Sequence, residues 1–79
     1  MSIPLFLVAD GKIAVIRTLK FEKSIVKKIQ NIGVIPGSMV AIAHRCYDGT
    51  LIIKLDGLKI AISTYISQRI LVSPIAKYL

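Results

Sequence analysis

The sequence predicts a small, mainly β domain, with about five short strands closed into a barrel and one α-helix inserted after the first strand. Three observations carry this. Stretches rich in β-branched residues recur between the turn dipeptides Asp10-Gly11, Pro36-Gly37, Asp48-Gly49 and Asp56-Gly57. A single stretch, residues 21–32, switches to a helical period. At 79 residues the chain has room for one core, and short strands joined by tight turns protect their edges best by closing on themselves.

The elements follow in order. Residues 13–19 come directly after Asp10-Gly11 and read as the first strand. In residues 21–32, Ile25, Val26, Ile29 and Ile32 form an apolar stripe, while Lys23, Lys27, Lys28 and Gln30 take the other side. Glu22 belongs to the first turn of that helix and Lys27 and Lys28 to its C-terminal half, as the helix dipole favours. Gly33 ends it as a residue free to take positive φ, and Pro36-Gly37 fits the centre of a type II turn. Residues 39–45 read as a strand with Val40 and Ile42 on one face and Met39, Ala41 and Ala43 on the other. A hairpin turn over residues 47–50 leads into a strand in which Leu51, Ile53 and Leu55 alternate with Ile52 and Lys54. Asp56-Gly57 turns the chain into residues 58–63, with Leu58, Ile60 and Ile62 inward and Lys59, Ala61 and Ser63 outward. Residues 64–68 are a short polar connection of about one 3₁₀ turn. Residues 69–72 form the last strand, ended by Pro74.

Residues 1–79 are read as one domain with its core in 4–72 and apolar termini in 1–8 and 73–79. Area scaling puts the folded surface at about 4,700 Å². Hydrophobic residues make up 54 % of the chain, and its mean hydropathy is +0.71, so some apolar surface is expected to stay exposed. No run approaches the ~20 apolar residues of a membrane-spanning helix. Residues 1–7 hold no Lys or Arg, so no secretory leader is expected and the compartment is expected to be the cytoplasm. The single cysteine excludes an internal disulfide framework. Eleven Lys and Arg against four Asp and Glu give a net charge of +7, which points to an acidic partner: a protein face, an anionic membrane surface or nucleic acid.

The ordered series of Asp10-Gly11, a strand, a basic helix, Ile32-Gly33-Val34-Ile35-Pro36-Gly37, a strand, Asp56-Gly57 and Ile70-Leu71-Val72 resembles the stand-alone FeoA proteins, the ferrous iron transport protein A family. That family has an SH3-like β-barrel with a helix between its first two strands, and Leu-Gly-Ile-x-Pro-Gly after the helix. Here the motif reads Ile-Gly-Val-Ile-Pro-Gly, and the resemblance covers roughly residues 4–72. The chain departs from it at Ser63 and Tyr65-Ile66-Ser67, where the family often has an Arg and an Ala-rich turn. The resemblance implies a cytoplasmic accessory of ferrous iron uptake that binds FeoB, the membrane ferrous iron transporter, and modulates it through its GTPase domain. It implies peripheral placement at the inner membrane face through that partner, and no catalysis.

Candidate sites follow from the residues. Lys20, Lys23, Lys27 and Lys28 make the helix region the most basic segment, an electrostatic footprint for an acidic protein surface or lipid head groups beside the plainer reading of a solvated face. Val34 and Ile35 at the helix exit, with the apolar termini, are candidates for a self-association or transporter-docking patch; covering the barrel mouth is the other reading of the termini. His44, Cys46 and Asp48 are the only soft-ligand cluster and would share one face of an extended chain. Three ligands on a hairpin lack outer support, so hairpin residues in partial solvent is the preferred reading and no metal or other cofactor is assigned. Arg17, Arg45 and Arg69 are the candidates for an arginine finger offered to a GTPase, or else solvated charges. The alternative function is a nucleic-acid-binding module or a regulatory SH3-like domain of the iron-dependent-repressor type. Against it, the five aromatics do not interleave with Lys or Arg, and no helix-turn-helix precedes the barrel, so nucleic acid is not the expected partner.

Overall fold

A computed structural model describes the backbone of residues 1–78 and the side chains of residues 1–75. Six strands form one antiparallel sheet: β1 Ile3–Pro4, β2 Lys12–Leu19, β3 Met39–Arg45, β4 Leu51–Leu55, β5 Leu58–Ile62 and β6 Ile70–Tyr78. Helix α1, Lys23–Asn31, connects β2 to β3 as the helical period predicts, and a single turn of helix, α2 Thr64–Ser67, precedes β6. The spatial order is β1-β6-β2-β3-β4-β5. The expectation of five strands in a closed barrel is therefore corrected twice. An additional two-residue strand, β1, pairs Ile3 and Pro4 with Val72 and Leu71, and among the described residues the sheet is not closed, with β1 and β5 as its edges. Pro4 supplies no N–H, and two residues make too short a strand to carry pairing further. Curvature comes instead from register shifts in β2 against β6 and in β3 against β4, where irregular pairing bends and twists a sheet.

The last strand runs past Pro74, which pairs with Ala14, rather than ending there. The reason is local. β1 covers only Leu71 and Val72, so from Ser73 onward β6 is bordered on one side alone, where a missing N–H is tolerated. Glu22 is likewise outside the helix: it is the N-cap of α1, and its carbonyl accepts from Ile25 and Val26 N–H.

The C-terminus of α1 sets the geometry of the most distinctive motif. Gly33 takes φ +101°; its N–H donates to Gln30 O at 2.9 Å, and Val34 N–H donates to Ile29 O at 3.2 Å. This pair of bonds is a Schellman motif, in which the residue after the glycine packs back on the helix. Val34 accordingly enters the core beside Ile29. Ile35 to Ser38 then form the expected type II turn, with Ser38 N–H donating to Ile35 O at 2.9 Å and Gly37 at φ +95°. The turn is stitched to β2 by Gly37 N–H to Ile16 O at 2.7 Å.

One core fills the concave side of the sheet. Ile16, Val40, Ile42, Leu51, Ile53, Leu55, Ile70 and Val72 are its main strand residues, closed by Ile29 and Val34 from the helix end. The alternation in β4 holds fully, with Leu51, Ile53 and Leu55 buried. In β5 burial falls along the strand, from Ile62 to a half-buried Ile60 to Leu58, which is 64 % exposed. The N-terminal apolar residues divide: Leu5 and Val8 are core, while Leu7 projects outward. Of the apolar C-terminal residues, the Tyr78 side chain and Leu79 lie outside the described residues. The accessible surface is 4910 Å².

Candidate partner-binding surface

Helix α1 packs Ile25 and Ile29 on the core and leaves Lys23, Lys27 and Lys28 exposed. These lysines fall within about 140° of the helix circumference at 100° per residue, sharing the face with Ser24 and Asn31. The face continues at its C-terminal end into Ile32 and Ile35, both nearly half exposed. A basic helix face therefore runs into a small apolar corner at the Pro36-Gly37 turn. Val34 is corrected as a docking residue: it is fully buried, because the Schellman geometry that exposes Ile35 turns Val34 inward.

The His44, Cys46 and Asp48 set does not converge. Among the described residues no three His, Cys, Asp or Glu side chains are grouped to hold a metal ion. A register shift lies between Ile42 and His44, and the chain reverses at residues 46–49, where Gly49 N–H donates to Cys46 O at 3.0 Å. The extended geometry that would align the three is absent. Asp48 serves the turn instead, accepting from Thr50 N–H at 2.9 Å. That bond holds its carboxyl below the usual carboxylate range.

All three candidate arginines make side-chain hydrogen bonds within the fold, Arg45 and Arg69 with a ring contact in addition. Arg45 Nη2 donates to Val8 O at 2.8 Å, its Nε lies 3.4 Å from Asp10 Oδ1, and its guanidinium sits 5.0 Å from the centre of the Phe6 ring. It clamps the N-terminal segment to the hairpin. Arg69 stacks on Tyr65 at 4.1 Å and donates to Tyr65 O at 3.3 Å. Arg17 is exposed, with Nε donating to Ser73 Oγ at 3.0 Å. The stacked Tyr65 and Arg69 border an open depression of about 460 Å³ with Leu19, Phe21, Glu22 and Ile25. The signal of this pair in the sequence is the four-residue spacing of Tyr65 in α2 and Arg69 just beyond its C-cap.

Fold and surface together define a class: a small, basic, SH3-like β domain whose distinguishing features are exposed faces around a single apolar core. The sequence model of the FeoA domain matches residues 3–74, and the chain belongs to that family, which is implicated in ferrous iron transport. No curated protein sequence matches it. Among solved structures it is similar to an iron uptake regulatory protein (FeoA), at TM-score 0.85 and 21 % identity over 95 % of this chain and 99 % of that one. A FeoA-like protein from Clostridium acetobutylicum matches at TM-score 0.85 and 19 % identity, over 99 % of this chain and 92 % of that one. The fold also resembles part of IdeR from T. acidophilum, at TM-score 0.82 and 24 % identity, over 94 % of this chain but 34 % of that one. At these identities the structural likenesses concern the fold.

Proposed function

We propose that the chain is a cytoplasmic, non-catalytic accessory of ferrous iron uptake that docks on the FeoB transporter and modulates it through its GTPase domain. The observation that carries the docking part is the continuous face of Lys23, Lys27 and Lys28 running into exposed Ile35. Its charge suits an acidic protein surface, and its apolar corner supplies the desolvated contact that charge alone lacks. Family membership supports the iron connection. Arg17, the arginine least engaged by the fold, is the remaining candidate for a finger toward the GTPase.

The test is capture of the cytoplasmic GTPase domain of the cognate transporter by the purified chain at about 150 mM salt, which screens loose attraction. Capture that falls with the Lys23/Lys27/Lys28→Glu triple variant and with Ile35→Asp supports this face. Capture unaffected by both moves the site elsewhere, and absence of capture overturns the transporter reading. Nucleic-acid binding with a steep salt dependence would instead support the regulatory alternative.

A further inference from the structure

The β5 edge is one of two long unpaired strand edges among the described residues; the other, β6 from Ser73 onward, is interrupted by Pro74, a residue that blunts an edge. β5 pairs with β4 through Leu55↔Leu58, Lys54↔Lys59, Ile53↔Ile60, Ile52↔Ala61 and Leu51↔Ile62, and no strand lies on its other side. The Asp56-Gly57 turn, with positive φ at both residues, is a two-residue type I′ hairpin, which makes Leu55 and Leu58 a hydrogen-bonded pair. Alternation then directs the N–H and C=O of Leu58, Ile60 and Ile62 toward β4 and those of Lys59 and Ala61 outward.

Side chains mark this edge as a receptor. On the concave face Ile60 is half-buried and Leu58 is 64 % exposed, so the apolar row of β5 is incompletely covered. On the convex face Lys54 and Lys59 stand directly opposite each other, both exposed. Like charges so placed repel, and neither ammonium group has an ion-pair or hydrogen-bond partner among the described residues. A second copy would aggravate this, since antiparallel β5 to β5 pairing centred on Ile60 brings the lysines of both copies to one face.

We propose that the β5 edge binds an extended acidic segment of another protein as an added strand. The outward groups of Lys59 and Ala61 bond its backbone. A carboxylate opposite Lys59 relieves the lysine pair, and an apolar side chain on the next residue covers Ile60 and Leu58. The inference stands whichever protein supplies the segment, and it involves β5 residues rather than the lysines of α1.

The experiment is an NMR titration of the ¹⁵N-labelled full chain with two capped hexapeptides, one alternating Glu and Val, the other alternating Lys and Val, up to about 10 mM, a range that reaches the weak affinity of a short generic strand. In the free chain at low concentration the Lys59 and Ala61 amides should exchange with solvent much faster than Ile60. The acidic peptide should shift the Lys59 and Ala61 resonances and slow their exchange at least about fivefold, as new ladder bonds require; the basic peptide should do neither. Lys59→Glu, which sets a carboxylate opposite Lys54, should abolish this preference, and Ala61→Pro, which deletes an outward N–H, should weaken acidic-peptide binding. Should the proline variant fail to fold, the charge reversal and the amide map decide the matter. The proposal is overturned by amides already protected in the dilute free chain, by shifts confined to the α1 lysines, or by the absence of any shift. Protection that grows with protein concentration without peptide also overturns it, assigning the edge to a second copy.

Discussion

Replacing Arg45 by Met tests the clamp between the N-terminal segment and the β3–β4 hairpin. Met keeps an unbranched stem, so what is removed is the guanidinium and its three interactions. The bond from Nη2 to Val8 O is part-buried and charge-assisted, a type that contributes about 1.5–3 kcal/mol. The ring contact with Phe6 at 5.0 Å adds about 0.5–1 kcal/mol. The ion pair contributes about 0–1 kcal/mol, because Asp10 is 57 % exposed. These interactions share one group and are not additive, so a loss of about 2 kcal/mol is expected, or roughly 10 °C in Tm for a domain of this size. Urea unfolding followed by far-UV circular dichroism measures it, with an unchanged m-value as the sign that only stability has moved. The difference from the parent should persist from about 0.05 to 0.5 M NaCl, since its main part is a part-buried hydrogen bond rather than a screened pair. A loss below about 0.5 kcal/mol, or one that vanishes in salt, would refute the clamp.

The remaining predictions concern Val34 and Asp48, two of the places where sequence and structure part company. Val34→Asp should lose more than about 3 kcal/mol through an unpaired buried charge and give a poorly dispersed NMR spectrum. Ile35→Asp should stay within about 0.5 kcal/mol of the parent, as exposed substitutions do; equal stabilities for the two would refute the inward turn of Val34. At Asp48 the Thr50 bond lowers the folded carboxyl pKa, so its stabilising effect is full above the unfolded carboxylate pKa of about 3.9 and is lost as pH falls through the folded value. A ¹³C carboxyl titration should place Asp48 below the ordinary range, and a midpoint at or above it would refute the turn bond.

Short-range chemistry was largely legible from the sequence. The helix was readable because the stripe of Ile25, Val26 and Ile29 opposite lysines depends only on helical period. The glycine turns were readable because Gly33, Gly37 and Gly57 supply positive φ where few other residues do. The β4 alternation was readable for the same local reason. The order of motifs across residues 32–37 and 56–57 sufficed for the family resemblance.

Tertiary structure decided the rest, because it depends on what lies beside each segment. Whether Pro74 ends a strand turned on β1 covering only two residues of β6. Whether Val34 or Ile35 faces a partner turned on the hydrogen bonds that fold the chain back after Gly33. His44, Cys46 and Asp48 were aligned only while the chain was imagined straight. Composition revealed an excess of lysine, but only strand register sets Lys54 against Lys59 at an open edge. Sequence by itself determined the local elements and the class of domain, since those follow from backbone preferences and period; which surfaces remain to be covered was decided by long-range pairing, which no local pattern encodes.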